Sequence, residues 1–189
     1  MDGNALTGGF ADAPVQSAHA FRAALNALAR PGRIERISGA EAPAPVSPAA
    51  ATLLLTLCDA ETPLHLAGDH DKQPVRDWIA FHIGAPLVGR SHAMFALGTW
   101  PALTPLDAFP VGTPEYPDRS TTLIVEMDAL AATGARLTGP GIETEAHLAL
   151  PDIAPFRANH ARFPLGLDSL FTAGDRIAGL PRSTNVEAG

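Results

Sequence analysis

Residues 121–127, TTLIVEM, decide the fold class, because their apolar run does not alternate with polar side chains. A strand with one solvated face alternates apolar and polar residues, whereas Leu123-Ile124-Val125 is apolar throughout. This pattern predicts a strand over Leu123–Met127 at the centre of a sheet, with both of its faces covered. The preceding residues, GTPEYPDRS at 112–120, are typical of a turn that leads into the strand.

Three helices are predicted before this strand. The first, Ala13–Ala29, carries an apolar stripe at spacings of three and four residues, formed by Ala18, Phe21, Leu25 and Leu28. The second, Pro48–Cys58, has Ser47 as its N-cap and leucines on every side, which predicts a buried helix. The third is predicted over Val75–Ile83.

Shorter apolar segments complete the prediction. Four of them are predicted as strands and one as a helix: strands at Pro63–Ala67, Met94–Leu97, Ala135–Leu137 and Ala146–Leu150, and a helix at Asp152–His160. Near the C-terminus, Leu167–Thr172 and Arg176–Leu180 flank Ala173-Gly174-Asp175, which predicts a hairpin. Strands mixed with helices, and one antiparallel pair, predict an α/β protein with a mixed sheet and helices on both sides. We expect a single domain over residues 1–189.

Composition and charge exclude several classes of function. The chain of 189 residues has a net charge of −7, which argues against nucleic acid as a partner because phosphate neutralisation needs a basic face. Cys58 is the only cysteine, so the chain cannot form an internal disulfide or hold an iron–sulfur cluster with cysteines. The N-terminal residues do not resemble a signal peptide, and no run is long enough for a membrane span. We therefore expect a soluble cytoplasmic protein that does not bind a membrane.

The lysine, histidine and acidic residues of the chain show no sequence pattern that is typical of a cofactor or metal site. Lys72 is the only lysine, and its neighbours in a polar loop favour a solvated surface lysine over a Schiff-base lysine. In the same loop, Asp69-His70-Asp71 is interpreted as a solvated turn, because three consecutive side chains diverge and rarely reach one metal ion. His82 follows Trp78 by four residues on an apolar stripe and is interpreted as a core histidine. We therefore predict no metal, no cofactor and no catalytic residue.

Two arginine-containing segments remain as a candidate anion site. One stands just before the central strand and the other follows the last hairpin strand, and each joins a guanidinium to two hydroxyls. Such groups bind phosphate or phosphonate oxygens, but arginines at strand ends are also commonly solvated or paired with carboxylates such as those of Glu115 and Asp118. The residues of the candidate site are Arg119, Ser120, Thr121, Arg182, Ser183 and Thr184.

Several stretches, in their order and spacing, resemble the PhnH family, which supplies a subunit of the bacterial carbon–phosphorus lyase machinery. They are GGFADAPVQSAHAFRAALNALARPG at 8–32, FHIGAPL at 81–87, YPDRSTTL at 116–123, LTGPGI at 137–142, RFPLGLDSLF at 162–171 and GLPRSTNVE at 179–187. The resemblance spans nearly the whole chain. The most specific part is FPLGLD followed by a hairpin and LPRSTNVE.

The resemblance implies a three-layer α/β/α sandwich similar to the large domain of pyridoxal-phosphate-dependent transferases, without that cofactor. It also implies a subunit of a core complex with other kinds of subunit, and a homodimer when the protein is isolated. That machinery uses ATP and an alkylphosphonate to make a ribose 1-phosphonate 5-triphosphate. The family supplies no catalytic residue to transfer. The matched motif contains Phe163, Pro164, Leu165, Gly166 and Asp168, besides the arginine and hydroxyls at 182–184.

Two hypotheses follow from this combination. In the first, the chain is a non-catalytic, structural or allosteric subunit that docks its partners through apolar surface. In the second, the chain itself binds a phosphonate or a nucleotide phosphate through Arg119, Arg182 and the neighbouring hydroxyls. Separately, Asp168 is interpreted as pairing with Arg182 across the hairpin.

Overall fold

A computed structural model describes residues 6–189, which form five helices and nine strands. The helices are α1 (Ala13–Ala29), α2 (Pro48–Leu57), α3 (Gln73–His82), α4 (Trp100–Leu103) and α5 (Ala154–His160). The strands are β1 (Ile34–Arg36), β2 (Leu64–Leu66), β3 (Phe95–Thr99), β4 (Thr122–Glu126), β5 (Ala135–Thr138), β6 (Ala146–Leu148), β7 (Asp168–Ala173), β8 (Arg176–Leu180) and β9 (Asn185–Glu187). None of the helices within residues 6–189 is long and apolar enough to cross a bilayer.

A mixed six-stranded sheet forms the centre of the molecule, in the order β1-β8-β7-β4-β3-β2. Strands β2, β3, β4 and β7 are parallel, and β8 runs antiparallel to both of its neighbours. The predicted central strand is confirmed, because β4 pairs with β3 on one side and with β7 on the other. Leu123, Ile124 and Val125 are fully buried. The predicted hairpin is also confirmed as β7 and β8.

The two faces of this sheet are covered by different layers. On one face, Ile124 and Leu170 pack in a core with apolar residues of α1, α2 and α3. On the other face, Leu123, Val125 and Phe171 pack in a second core with α4, α5 and a three-stranded antiparallel sheet, β6-β5-β9. The mixed sheet with helices agrees with the α/β prediction. The small sheet was not predicted, because β9 has only three residues and pairs with the distant β5.

Helix α1 has the predicted bounds, but of its predicted apolar stripe only Leu28 packs against the core, and Ala18, Phe21 and Leu25 are exposed. Small residues, Ala20, Ala24 and Ala27, face the core, and α1 lies directly over β8. A Cβ atom on Gly179 of β8 would lie 2.6 Å from the backbone carbonyl of Ala27, so the helix approaches the strand as closely as glycine permits. Phe21 therefore stays exposed, together with Val15 and Leu25.

Helix α2 is confirmed as a buried helix with a capped start. The Ser47 side chain accepts a hydrogen bond from the Ala50 backbone N–H at 3.1 Å, which satisfies one of the free donors of the first turn. Leu53 and Leu54 are fully buried. The solvated turn predicted for residues 69–71 is wrong for His70, whose side chain is buried. The interpretation failed because the 3₁₀ turn at 68–70 directs this one side chain inward and leaves Asp69 exposed.

Candidate functional site

Arg182 and Asp168 are at the centre of a polar cluster at the amino-terminal edge of the parallel strands. Asp168 is the first residue of β7, and Arg182 follows the end of the antiparallel strand β8. The Arg182 guanidinium donates from Nη2 to Asp168 Oδ2 at 2.6 Å and from Nε to Oδ1 at 3.2 Å. The Arg182 backbone N–H also donates to Asp168 Oδ1 at 2.8 Å. The carboxylate therefore neutralises the guanidinium and fixes its direction.

The remaining donors of Arg182 join a second loop to this pair. Nη1 donates to the Pro117 carbonyl at 2.7 Å, and Nη2 donates to Ser120 Oγ at 2.5 Å. The cluster thus brings together the loop before β4, the start of β7 and the segment after β8. Ser120, Arg182 and Asp168, which the sequence pattern had singled out, do meet in space. Their contacts leave most of the guanidinium donors of Arg182 already bonded to the protein.

Arg119 differs from Arg182 in its surroundings. Its side chain is exposed, and its guanidinium carbon lies 4.1 Å from the centroid of the Tyr116 ring. Such a cation–π contact orients the side chain but leaves its hydrogen-bond donors available. Within residues 6–189, Arg119 forms no ion pair. It is therefore the member of the predicted site whose charge is open to an anion.

The hydroxyls of the predicted site point in different directions. The Thr121 hydroxyl is buried and donates to the Ala93 carbonyl at 2.6 Å, so it anchors the strand to its neighbour. Thr184 is also buried, and its hydroxyl has no hydrogen-bond partner in the described part of the chain. Ser183 is half-buried beside Gly139. Only the Ser120 hydroxyl joins a predicted arginine.

The motif residues 163–168 form a loop that is fixed from inside the fold. Gly166 has φ +131°, and a Cβ atom there would lie 2.8 Å from Asn159 Oδ1. The Asn159 amide donates to the Leu167 carbonyl and accepts from its N–H, both at 2.8 Å. Phe163, beside Pro164 at the tip of the loop, is 58% exposed, so the loop presents an aromatic ring to the outside. Leu165 is half-buried.

A second polar cluster lies at the opposite, carboxyl-terminal edge of the sheet and was missed by the sequence analysis. Glu126 ends β4, and its carboxylate accepts from the Ser47 backbone N–H at 2.7 Å and from the Thr172 hydroxyl at 2.9 Å. The side chain of Glu126 is largely buried, and this burial raises its pKa above the ordinary value of a glutamate. The carboxylate thus connects two strands to the first turn of α2.

His70 lies beside Glu126 at this edge, with its Nε2 atom 4.0 Å from Glu126 Oε1. The ring is buried, and neither of its nitrogens has a hydrogen-bond partner within residues 6–189. Burial disfavours the charged imidazolium and lowers the pKa of His70. The only sequence signal for this pair was one acidic residue at the end of an apolar strand. Carboxyl ends of parallel strands are the usual ligand edge of α/β sheets.

Other reactive groups are either solvated or inaccessible. Lys72 is exposed and forms an ion pair with Asp69 at 3.0 Å, as expected for a surface lysine. Burial raises the pKa of the Cys58 thiol to about 12, so it is held as an unreactive thiol. Within residues 6–189, no three His, Cys, Asp or Glu side chains are grouped as metal ligands.

Comparisons with known proteins match nearly the whole chain. The family model described as "Bacterial phosphonate metabolism protein (PhnH)" matches residues 8–187. The chain is 41% identical over 190 residues to a protein of Rhizobium meliloti (strain 1021) named "Alpha-D-ribose 1-methylphosphonate 5-triphosphate synthase subunit PhnH", covering 96% of this chain and 95% of that protein. It is 30% identical over 175 residues to the "Putative C-P lyase subunit protein HtxG" of Stutzerimonas stutzeri, covering 88% and 84%. With its fold, its motif loop and these matches, the chain belongs to the PhnH family of bacterial phosphonate metabolism proteins.

Proposed function

We propose that this chain is a non-catalytic subunit of the bacterial carbon–phosphorus lyase core complex. In that role it supports the ATP-dependent conversion of alkylphosphonates to ribose 1-phosphonate 5-triphosphates in phosphonate catabolism. The observation that carries the proposal is the end-to-end match to a synthase subunit, at 41% identity over 96% of this chain and 95% of that protein.

The polar clusters support a structural role over a catalytic one. The guanidinium of Arg182 donates hydrogen bonds to Asp168, Ser120 and the backbone carbonyl of Pro117. Glu126 likewise connects strand ends to α2. The hydroxyl that donates to a carboxylate, that of Thr172 to Glu126, is fully buried, so neither cluster presents a nucleophile and a general base to a substrate. In this proposal the chain is a single cytoplasmic domain that contributes through its surfaces.

The outer face of α1, defined by Val15, Ala18, Phe21 and Leu25, is the docking surface in this proposal. Val15, Phe21 and Leu25 are 50%, 54% and 55% exposed. Clustered apolar side chains on the surface of a soluble protein are typical of interaction sites. The isolated chain pairs two such faces as a homodimer, and a partner subunit covers the same face in the complex.

Co-expression with the candidate partner subunits tests the proposal. An affinity tag on this chain is expected to retain the other subunits in fixed stoichiometry through a high-salt wash, because apolar docking is not screened by salt. The Phe21→Ser, Leu25→Ser double variant is expected to retain less of them, while Phe81→Ser, which alters an exposed aromatic residue on α3, serves as the matched control. Recovery of the tagged chain alone from wild-type co-expression contradicts the proposal.

A second candidate function is direct binding of a phosphonate or nucleotide phosphate at Arg119. The observation that favours it is the exposed guanidinium, held against Tyr116 and without an ion pair in the described residues. Isothermal titration with ATP or methylphosphonate tests it, with Arg119→Gln as the variant and Arg22→Gln as the control. Loss of the binding heat in Arg119→Gln alone supports this function. Flat heats at millimolar ligand with the wild type contradict it for the isolated chain.

A further inference from the structure

A pocket of about 440 Å³ lies between the α4 segment and α5, and no residue of either polar cluster lines it. This volume falls within the range of roughly 300–1,000 Å³ that is usual for small-molecule sites. Its walls come from the residues after β3 and from α5 with the start of the motif loop. The lining residues are Trp100, Thr104, Pro105, Leu106, Asp107, Asp152, Pro155, Ala158, Asn159, Arg162 and Leu167.

The indole ring of Trp100 forms part of the pocket wall and packs against a buried aromatic ring on its other side. Trp100 lines the pocket, and the ring of Phe156 stacks against it with centroids 4.8 Å apart and planes at 29°. Phe156 is buried and contacts Phe171 of β7 edge-on at 5.7 Å. Phe156 is not itself part of the lining, so it supports Trp100 from the core side. The indole is thereby fixed as a platform for a flat ligand ring.

The wall on the α5 side is rigid as well. Asn159 bonds both the N–H and the carbonyl of Leu167, and both residues line the pocket. The Thr104 hydroxyl donates to the Pro101 carbonyl, and Arg90 donates to the Thr104 and Ala102 carbonyls. Both walls are therefore held by the protein's own hydrogen bonds. A preformed pocket binds more tightly because its side chains lose little freedom on binding.

The charged groups of the pocket are two carboxylates and one guanidinium. Asp107, Asp152 and Arg162 are exposed at the rim, and none of them forms an ion pair within residues 6–189. Asp152 accepts one backbone bond from Ala154, which leaves its other oxygen available. The excess of carboxylate favours ligands that donate hydrogen bonds or carry a positive charge. It disfavours phosphonates and polyphosphates.

We propose that this pocket binds a neutral or cationic small molecule that joins a flat ring to hydroxyl or amine donors, the chemistry of a nucleoside. The ring stacks on Trp100, and the hydroxyl or amine groups donate to Asp107 and Asp152. The inference does not depend on the proposed subunit role, because it rests on the pocket alone. The pocket is a different site from the candidate anion contact at Arg119, because Arg119 lies on the loop before β4 and does not line the pocket.

Isothermal titration of the full chain with adenosine tests this inference. Saturable binding is expected, and ATP is expected to bind at least about ten-fold more weakly because its phosphates meet the two carboxylates. Trp100→Ala is expected to weaken adenosine binding about ten-fold, the usual loss for one stacked base. Trp100→Phe is expected to retain most of the affinity, because it keeps an aromatic platform.

A second pair of variants keeps the test independent of folding around Trp100. Asp107→Asn changes only an exposed carboxylate and is expected to weaken adenosine binding several-fold. Asp118→Asn, an exposed carboxylate on the loop before β4, is the matched control and is expected to leave the affinity unchanged. The proposal is overturned if millimolar adenosine gives no saturable heat. It is equally overturned if Asp107→Asn and Trp100→Ala both bind adenosine as tightly as the wild type does.

Discussion

At the scale of single residues, the two arginines of the predicted anion site have opposite surroundings. The Arg182 side chain is 12% exposed and is bonded to the carboxylate of Asp168, whereas Arg119 is exposed and stacked on Tyr116. A guanidinium that already has a carboxylate partner gains little from a second anion, and a partly buried one needs its partner. Arg182 therefore has a structural role, in which it joins the loops around Asp168. Direct anion binding, in the second candidate function, depends on Arg119.

Removal of the Asp168 carboxylate is expected to destabilise the fold. Asp168→Ala leaves the Arg182 guanidinium and its backbone N–H without their acceptor, and should cost about 2–3 kcal/mol in the free energy of unfolding. Asp168→Asn keeps one oxygen acceptor and should cost less. Denaturant unfolding measures both, with Asp118→Ala as an exposed control. A change below about 0.5 kcal/mol for Asp168→Ala would show that the pair is not structural.

Glu126 gives a prediction with a defined pH dependence. Its folded pKa is raised by burial above the ordinary 4.5, so the folded state favours the neutral carboxyl. The stabilisation from this group is fully present below the unfolded pKa and is lost as the pH rises through the folded pKa. Glu126→Gln lacks this titration, so the stability of the wild type relative to Glu126→Gln should fall as the pH rises from 4.5 through the folded pKa.

Urea unfolding of the two proteins across that pH range measures the effect of Glu126. His70 lies 4.0 Å from Glu126 and its titration is coupled to that of the carboxylate, so the comparison is repeated with His70→Asn in both proteins. Glu126→Ala leaves the Ser47 N–H without its acceptor and should be about 1–3 kcal/mol less stable than Glu126→Gln at any pH, because neither variant titrates at this position. A wild-type minus Glu126→Gln difference that does not change with pH would contradict the assignment.

At the scale of elements, the close contact between α1 and β8 sets the position of the first helix layer. Gly179→Ala would place a Cβ atom 2.6 Å from the Ala27 backbone, so the helix must shift outward. We expect a cost of about 1–3 kcal/mol, which is typical of overpacking. Thermal and denaturant unfolding check it against Gly89→Ala, where a Cβ atom meets nothing within 4 Å. Equal stability of the two variants would mean that α1 is not seated on β8 as described.

The sequence predicted the elements that carry a strong local signal. Helix α1 ends at the predicted residues, and the apolar run of β4 identified the central strand, because burial on both faces removes alternation. Strands β1 (IER) and β9 (NVE) were missed because each has one apolar residue between or beside charged and polar ones, which shows no strand pattern without the partner strand. The outward position of Phe21 was also not predictable, since periodicity reveals a stripe but not which side of the helix meets the core.

The candidate site was only partly accessible from the sequence. The pairing of Asp168 with Arg182 followed from the hairpin, which brings both residues to one edge of the sheet. The contact between Glu126 and His70 joins the end of β4 to the 3₁₀ turn that follows β2, and nothing in the local sequence marks it. Similarity to the pyridoxal-phosphate transferase fold in particular stays a prediction, as do the homodimer and the anion site.

At the scale of the whole molecule, the proposal assigns the functional surface to the outer face of α1 rather than to a catalytic centre. Alanines and Leu28 of α1 pack against the core beneath the helix, whereas Val15, Phe21 and Leu25 lie on its outer side. Two such faces suit a homodimer in the isolated protein. The same face suits a partner subunit in the complex, because both contacts bury the same apolar side chains.

Size-exclusion chromatography with light scattering tests whether the chain is a subunit that docks through the outer face of α1. It is applied to the chain alone and to the chain mixed with its candidate partner subunits. We expect a homodimer alone and a stoichiometric heteromeric complex on mixing. The Phe21→Ser, Leu25→Ser double variant should elute as a folded monomer and join the complex poorly, because both side chains are exposed and contribute little to the core. A wild-type chain whose mass is unchanged by the partner subunits would contradict the account.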